Sequence, residues 1–281
     1  MQTDRSLEGL PFYKMTGSGN DFVFFDGRVV DSVLVTQPQV IRAICDRYNG
    51  IGADGVVVLE AAGPNDSVRI NYFNSDGSAA DLCGNATLCS TTLSTLAGFV
   101  DGTGVSLETP SGRITGRTVG SGPEIDIGQA TTVELSSTIA LESTEMRIGY
   151  VLAGIPHLVV QVEDAELVEL SRRGPILRRH SATGPAGANV NWVSRSIDGS
   201  WRFRTFERGV EGETLACGTG AVAVAVQLVE WGEAASPVVL RSSSGKELQV
   251  TLAQNAAGGW RPTLRGEGRL VYRGTIDFLP I

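Results

Sequence analysis

Cys83 and Cys217 each stand before a glycine and a run of small residues, in "DLCGNATLCSTT" (81–92) and "LACGTGAVAVAV" (215–226). A cysteine at the start of a helix lies at the positive end of the helix dipole, among backbone N–H groups that have no intrahelical partner. Both effects favour thiolate over thiol. The neighbouring glycine lets a ligand approach the backbone closely, and the helix-opening N–H groups of Gly84, Asn85, Gly218 and Thr219 suit a substrate carboxylate. Two such thiols on opposite faces of one carbon, one ionised and one protonated, invert a stereocentre: the first removes the Cα proton and the second delivers one to the far side. An amino acid Cα–H is a very weak acid, so the site must exclude water and stabilise the carbanion electrostatically. Two domains closing over the substrate would provide that.

The elements that position the thiols occur twice. "VRINYFNSDGSAADLCGNATLCSTT" (68–92) and "WRFRTFERGVEGETLACGTGAVAVAV" (201–226) each begin with a short alternating run that predicts a half-buried strand. The runs end at Asn74 and Glu207, and a turn-rich loop follows, 9 residues from Asn74 to Cys83 and 10 from Glu207 to Cys217. Beyond the cysteines both copies predict a helix that stops at glycine. "VSLETPSGRITGRT" (105–118) and "VVLRSSSGKELQVT" (238–251) then read as strand–turn–strand, with Gly112 29 residues after Cys83 and Gly245 28 after Cys217. Upstream, "GSGNDFVFF" and "GIPHLVVQV" place a glycine turn before an apolar run, with Asn20 63 residues ahead of Cys83 and His157 60 ahead of Cys217.

A repeat of two units predicts a pseudo-dimer rather than a solenoid. The expected fold class is α+β: two similar domains related by an approximate two-fold axis, each with many short strands around a central helix, and the site in the cleft between them. The expected boundaries are 1–119, completed by 270–281, and 120–269, with "RTVGSGPEID" (117–126) as the linker. Registered recurrence marks Cys83, Cys217, Glu207 and Asn74 as functional. Cys45 and Cys89 read as packing, since Ala223 stands where the second copy would match Cys89.

Composition narrows the classes. Lys and Arg number 23 against 31 Asp and Glu, a net charge of −8, which opposes nucleic-acid binding. The basic cluster Arg172, Arg173, Arg178 and Arg179 has no interleaved aromatics and reads as a solvated helix end and loop. No stretch approaches the roughly 20 apolar residues that cross a bilayer, and the N-terminal segment lacks a secretory pattern, so the expected location is the cytoplasm. The four cysteines contain no C-x-x-C pair and only two histidines accompany them, which argues against a metal site or a disulfide framework. No strand-bounded G-x-G-x-x-G is present, and "SSSGKE" lacks the flanking residues of a phosphate loop, so no cofactor is expected. The expected partner is a small-molecule amino acid, without nucleic acid or membrane; a homodimer is compatible with a sequence that does not fix the oligomeric state.

"MTGSGNDFVFFD", "DRYNGIGADGVVVLE", "FNSDGSAADLCGNA", "GIPH", "GANVNWV" and "FERGVEGETLACGTGA" occur in an order that resembles the diaminopimelate epimerase family, over nearly the whole chain. The resemblance implies a cofactor-independent epimerase of the lysine and peptidoglycan pathway, with Cys83 and Cys217 as the acid/base pair. It further implies that Glu207 and His157 tune or orient the thiols. Asn20, Asn74, Asn191 and Arg208 would bind substrate, the last three mostly at its distal amino acid end. The chain departs from common family patterns at Gly55, Ala86, Leu88 and Ile155, positions expected to bear on the distal substrate group rather than on the chemistry. A cofactor-free racemase of another amino acid is the close alternative, and a non-catalytic amino-acid-binding protein a more distant one.

Overall fold

The computed structural model describes residues 7–63, 67–120, 122–255 and 258–279. The fold is mixed α+β, mostly strands with few helices, and the chain divides into two compact units, Met1–Ile125 with Glu267–Ile281 and Asp126–Gly266.

In the first unit the principal strands neighbour one another in the order Arg269–Thr275, Pro11–Gly17, Asn20–Asp26, Gly55–Ala61, Ser67–Asn74, Gly104–Thr109, Gly112–Val119 and Gly122–Asp126. Neighbours are antiparallel except at Asn20–Asp26 with Gly55–Ala61 and at Ser67–Asn74 with Gly104–Thr109. The second unit runs Ala130–Glu134, Glu145–Ala153, Ile155–Val162, Asn189–Arg195, Trp201–Glu207, Val238–Arg241, Glu247–Gln254 and Trp260–Arg265, with parallel pairs at the same two places. Trp260 bridges back to Ala130. One strand order is used twice. The C-terminal strand, which has no sequence match at the end of the first half, takes in the first unit the sheet position that Ala130–Glu134 takes in the second.

Each unit holds one buried helix, Gly84–Leu96 and Gly218–Glu230, touching strands across its own sheet. A helix covered on all sides needs an apolar or self-satisfied surface. The second is mainly alanine, valine and glycine, with Gln227 its one buried polar side chain. The first carries buried hydroxyls instead, and Thr87, Ser90, Thr91 and Ser94 each donate to the carbonyl four residues back, at 2.7–3.0 Å. Both helices stop where predicted: Gly98 and Gly232 adopt φ of 66° and 75°, and the next residue's N–H closes onto Ser94 and Leu228, each at 2.8–2.9 Å. Further cores form on the other sheet faces, where Val40, Ile41 and Ile44 of the helix Pro38–Cys45 cover Val23, Phe25, Val56 and Val58. In the second unit Leu170 and Leu177 of Leu170–Arg178 pack with Leu158, Val160 and Trp192.

Two expectations change. The stretch 117–126 is no free linker: Gly112–Val119 pairs with Gly122–Asp126, and Arg117 forms an ion pair with Glu124. Glycine and proline mark tight turns as readily as linkers, and Gly120, at φ 60°, lies in the connection here. Nor is the arginine cluster simply solvated. Arg173 is 8% exposed and grips Glu145 with Nε–Oε1 at 2.8 Å and Nη2–Oε2 at 2.6 Å, while Arg172 pairs with Glu142, and Arg178 and Arg179 with Glu211. Among the described residues no helix is long and apolar enough to cross a membrane.

Candidate active site

Cys83 and Cys217 are the N-cap residues of the two buried helices, with nearly the same extended backbone (φ −133°, ψ 114° and φ −123°, ψ 112°). Gly84, Asn85, Gly218 and Thr219 therefore open the first turns, where backbone N–H groups lack helical partners.

In the first unit the helix start is tied to a charged network. Asp54 Oδ2 accepts from Asn20 Nδ2 at 2.9 Å and from the Asp21 backbone N–H at 3.2 Å, and Asn20 Oδ1 accepts from Asn85 Nδ2 at 2.7 Å. A carboxylate only accepts, so Asp54 sets which way Asn20 faces, and Asn20 sets Asn85. Arg47 joins Asp21 and Asp54, each at 2.7 Å, and buried Lys14 pairs with Asp21 at 2.7 Å while donating to the Gly52 carbonyl. Asp21 is held below the usual carboxylate range: burial opposes ionisation, and the bonds from Arg47 and Lys14 outweigh it. Asn74 ends its strand half-buried and donates to Ser78, Nδ2–Oγ at 3.1 Å and N–H to carbonyl at 2.9 Å, in the loop that leads to Cys83. Sequence reasoning found Asn20, Asn74 and Asn85 but missed Asp54 and Arg47, although both stand in the quoted "DRYNGIGADG".

In the second unit the Cys217 sulfur is surrounded by donors. It accepts from the Gly220 N–H at 3.4 Å, lies 3.5 Å from Thr219 Oγ1, and has Asn189 Nδ2 at 3.9 Å. Asn189 is the residue the sequence reading overlooked; its Oδ1 also accepts from the Arg208 backbone N–H at 2.8 Å, joining the strand end that carries Glu207 and Arg208 to the thiol. Asn191, expected to read the distal end of a substrate, is instead wholly buried. Its Nδ2 faces His157 Nδ1 at 3.2 Å and the Leu158 carbonyl at 3.0 Å, and its Oδ1 accepts from Thr205 Oγ1 at 2.8 Å. Residues two apart on a strand share a face, so Asn189 and Asn191 look alike in sequence; only the packing sets one at the thiol and the other behind it.

His157 is wholly buried and its imidazolium form is pushed down to about 3, by burial first and then by the nearby Arg208 charge, so the ring is neutral at physiological pH. Burial pushes the Glu207 carboxyl up, partly offset by the Thr214 hydroxyl. Among the described residues no cluster of three His, Cys, Asp or Glu is placed to hold a metal ion.

The four positions expected to bear on the distal substrate group differ in their surroundings. At Gly55 a Cβ would lie 2.5 Å from the Phe73 carbonyl and 2.6 Å from the Tyr72 ring, so no side chain fits. Ala86 and Leu88 are 1% and 0% exposed on the central helix, and Leu88 belongs to the core rather than to any substrate surface. Ile155 is half-buried at the start of its strand. Leu88→Ala is expected to lower unfolding free energy by about 2–5 kcal/mol, seen as a lower denaturant midpoint at unchanged slope. An unshifted midpoint would contradict the packing described.

The diaminopimelate epimerase family profile matches residues 12–133 and 149–258. The diaminopimelate epimerase of Gemmatimonas aurantiaca (strain DSM 14586 / JCM 11422 / NBRC 100505 / T-27) is 56% identical over 95% of this chain and 99% of its own length. That of Aquifex aeolicus (strain VF5) is 35% identical over 88% of this chain and 91% of its own. Among solved structures, a PhzF-family phenazine biosynthesis protein from Bacillus anthracis aligns with a TM-score of 0.74 at 14% identity, covering 98% of this chain and 99% of that one. A hydroxyproline epimerase from Agrobacterium vitis aligns with a TM-score of 0.67 at 20% identity, covering 99% and 95%. These two likenesses are of fold alone, whereas the profile and the closer relatives extend to the motifs around both cysteines: the chain belongs to the diaminopimelate epimerase family.

Proposed function

We propose that the protein is an isomerase that interconverts LL- and meso-diaminopimelate in lysine and peptidoglycan precursor synthesis, without a cofactor and in the cytoplasm. The observation that carries this reading is the thiol at the N-cap of a buried helix, once in each unit, in a chain 56% identical to the Gemmatimonas protein. In the proposed reaction the two thiols flank the reacting carbon. One, as thiolate, takes the Cα proton and becomes a thiol; the other, as thiol, gives its proton to the opposite face and becomes a thiolate, so that the enzyme ends with the roles exchanged and the charge unchanged. The N–H groups of Gly84, Asn85, Gly218 and Thr219 receive the carboxylate of the reacting centre, where negative charge grows as the Cα–H bond breaks. The guanidinium of Arg208 holds the distal carboxylate in a fixed geometry, with Asn74 beside it; Asn189, tied to both Arg208 and Cys217, links recognition of the distal end to the thiol.

Incubation in D2O with LL-diaminopimelate, lysine, histidine and other amino acids tests this reading. Deuterium is expected at one Cα of diaminopimelate, together with the meso isomer. A higher kcat/KM for a monocarboxylic amino acid would refute the substrate and leave the two-thiol chemistry standing. No exchange with any substrate would identify a binding protein.

A further inference from the structure

His157 has two ring nitrogens, and three hydrogen bonds around Asn191 decide which carries the proton. The Leu158 carbonyl can only accept, so the Asn191 atom 3.0 Å from it is the amide nitrogen, and the amide oxygen is turned to the Thr205 hydroxyl at 2.8 Å. The reverse orientation would set two acceptors against each other at Leu158, beside a wholly buried side chain. An amide nitrogen has two hydrogens. One goes to Leu158, and the second points to His157 Nδ1 at 3.2 Å, which must therefore present its lone pair. Asn191 and Thr205 are themselves fixed as direct neighbours across adjacent strands. The proton of the neutral ring is left on Nε2, an atom buried with no hydrogen-bond partner among the described residues.

We infer that Asn191 is a positioning residue that locks His157 as the Nε2–H tautomer, so that His157 serves the site as a hydrogen-bond donor and not as a base that deprotonates a thiol. This rests on the epimerase reading for its setting, though not for its geometry. Nε2 has no lone pair to offer, and the Nδ1 lone pair is occupied by Asn191. Double protonation is opposed by burial and by Arg208. The complement of a buried N–H with no partner among the described residues is an anionic acceptor that comes with the reaction: a carboxylate oxygen of the bound substrate, or the Cys217 sulfur once ionised, which makes no bond to Nε2 in the ligand-free structure. The Cys217 proton must then leave by another route, and in a two-thiol cycle the substrate carbanion itself takes it.

Long-range 1H–15N spectra of the intact, 15N-labelled protein test the inference directly. The chain has only two histidines, His157 and His180, and a His180→Gln variant assigns the signals. The expected pattern for His157 is a protonated Nε2 and an unprotonated Nδ1, constant across the neutral pH range and seen without substrate. A protonated Nδ1, an exchange-averaged ring or an imidazolium would overturn the inference, and because no substrate is present none of these results touches the epimerase reading. In Asn191→Ala the lock is gone and an averaged tautomer is expected. In Asn191→Asp the new carboxylate accepts, which draws a proton to Nδ1, with kcat lowered by about a hundredfold and KM little changed. A pure Nε2–H ring in both variants would overturn the role given to Asn191; the wild-type spectrum decides the tautomer whether or not they fold. Displacement of the Nε2 signal on adding diaminopimelate, retained in Cys217→Ala, identifies the carboxylate as the acceptor. A displacement caused by Cys217→Ala alone identifies the thiolate, and Nε2 insensitive to both would refute the donor role.

Discussion

Alanine in place of either Cys83 or Cys217 is expected to abolish epimerisation, lowering kcat by at least about 10³-fold, within the range that a positioned proton carrier contributes. The loss should be the same in both directions, because inversion needs both carriers whichever isomer is the substrate. The two variants should differ in stability. The Cys217 sulfur caps its helix by accepting from the Gly220 N–H, whereas no such cap bond forms at Cys83. Cys217→Ala should therefore cost up to about 1 kcal/mol more than Cys83→Ala, as expected for loss of a cap. Stopped-time assays from each isomer, with thermal denaturation of both variants, check the pair of statements. Wild-type turnover by either single variant would rule out the two-thiol mechanism.

The second large effect is expected at a residue with no side chain. Alanine at Gly220 adds a Cβ 2.4 Å from Asn191 Oδ1 and 3.2 Å from the Cys217 Cβ and Sγ. Helix propensity alone would favour alanine by about 1 kcal/mol. Here the clash prevails, because Asn191 is buried and held by three partners and cannot yield, and overpacking of this kind costs typically about 1–3 kcal/mol. The helix start must shift, taking the Cys217 thiol and the N–H groups of Gly218 and Thr219 with it, and a displacement near 1 Å at a reacting group costs about a hundredfold in rate. Gly220→Ala is thus expected to remain folded, with a lowered melting temperature and kcat down by about 10²-fold. Unchanged kcat would mean that the first turn adapts independently of Asn191.

What could be read in the sequence was local. N-cap positions, glycine stops and strand alternation are set by neighbours in the chain, so the duplicated Cys-Gly helix starts and their flanking strands were visible once the two halves were compared. What could not be read depends on register. Asp54 reaches Asn20 across 34 positions, and Asn20 reaches Asn85 across 65. No spacing rule predicts such contacts, and a charged residue in a loop has no local mark of a network. Asn189 and Asn191 differ in which one reaches the Cys217 sulfur, a matter of how Asn189–Arg195 slides against its neighbours. The hairpin at 117–126 was hidden because turns and linkers share glycine and proline, and only pairing with Gly112–Val119 distinguishes them.

The strand Arg269–Thr275, paired with Pro11–Gly17, gives the two halves different histories during synthesis. The second unit draws its whole sheet from one unbroken segment and can finish folding as soon as that segment has left the ribosome. The first emerges earlier, yet it must wait with one edge of Pro11–Gly17 bare until residues 269–275 arrive. An unpaired edge is a template for association with other chains, and closing so long a loop slows the final step. The half of the protein that is made first is therefore completed last, and the interval between is when a nascent chain has most need of a chaperone.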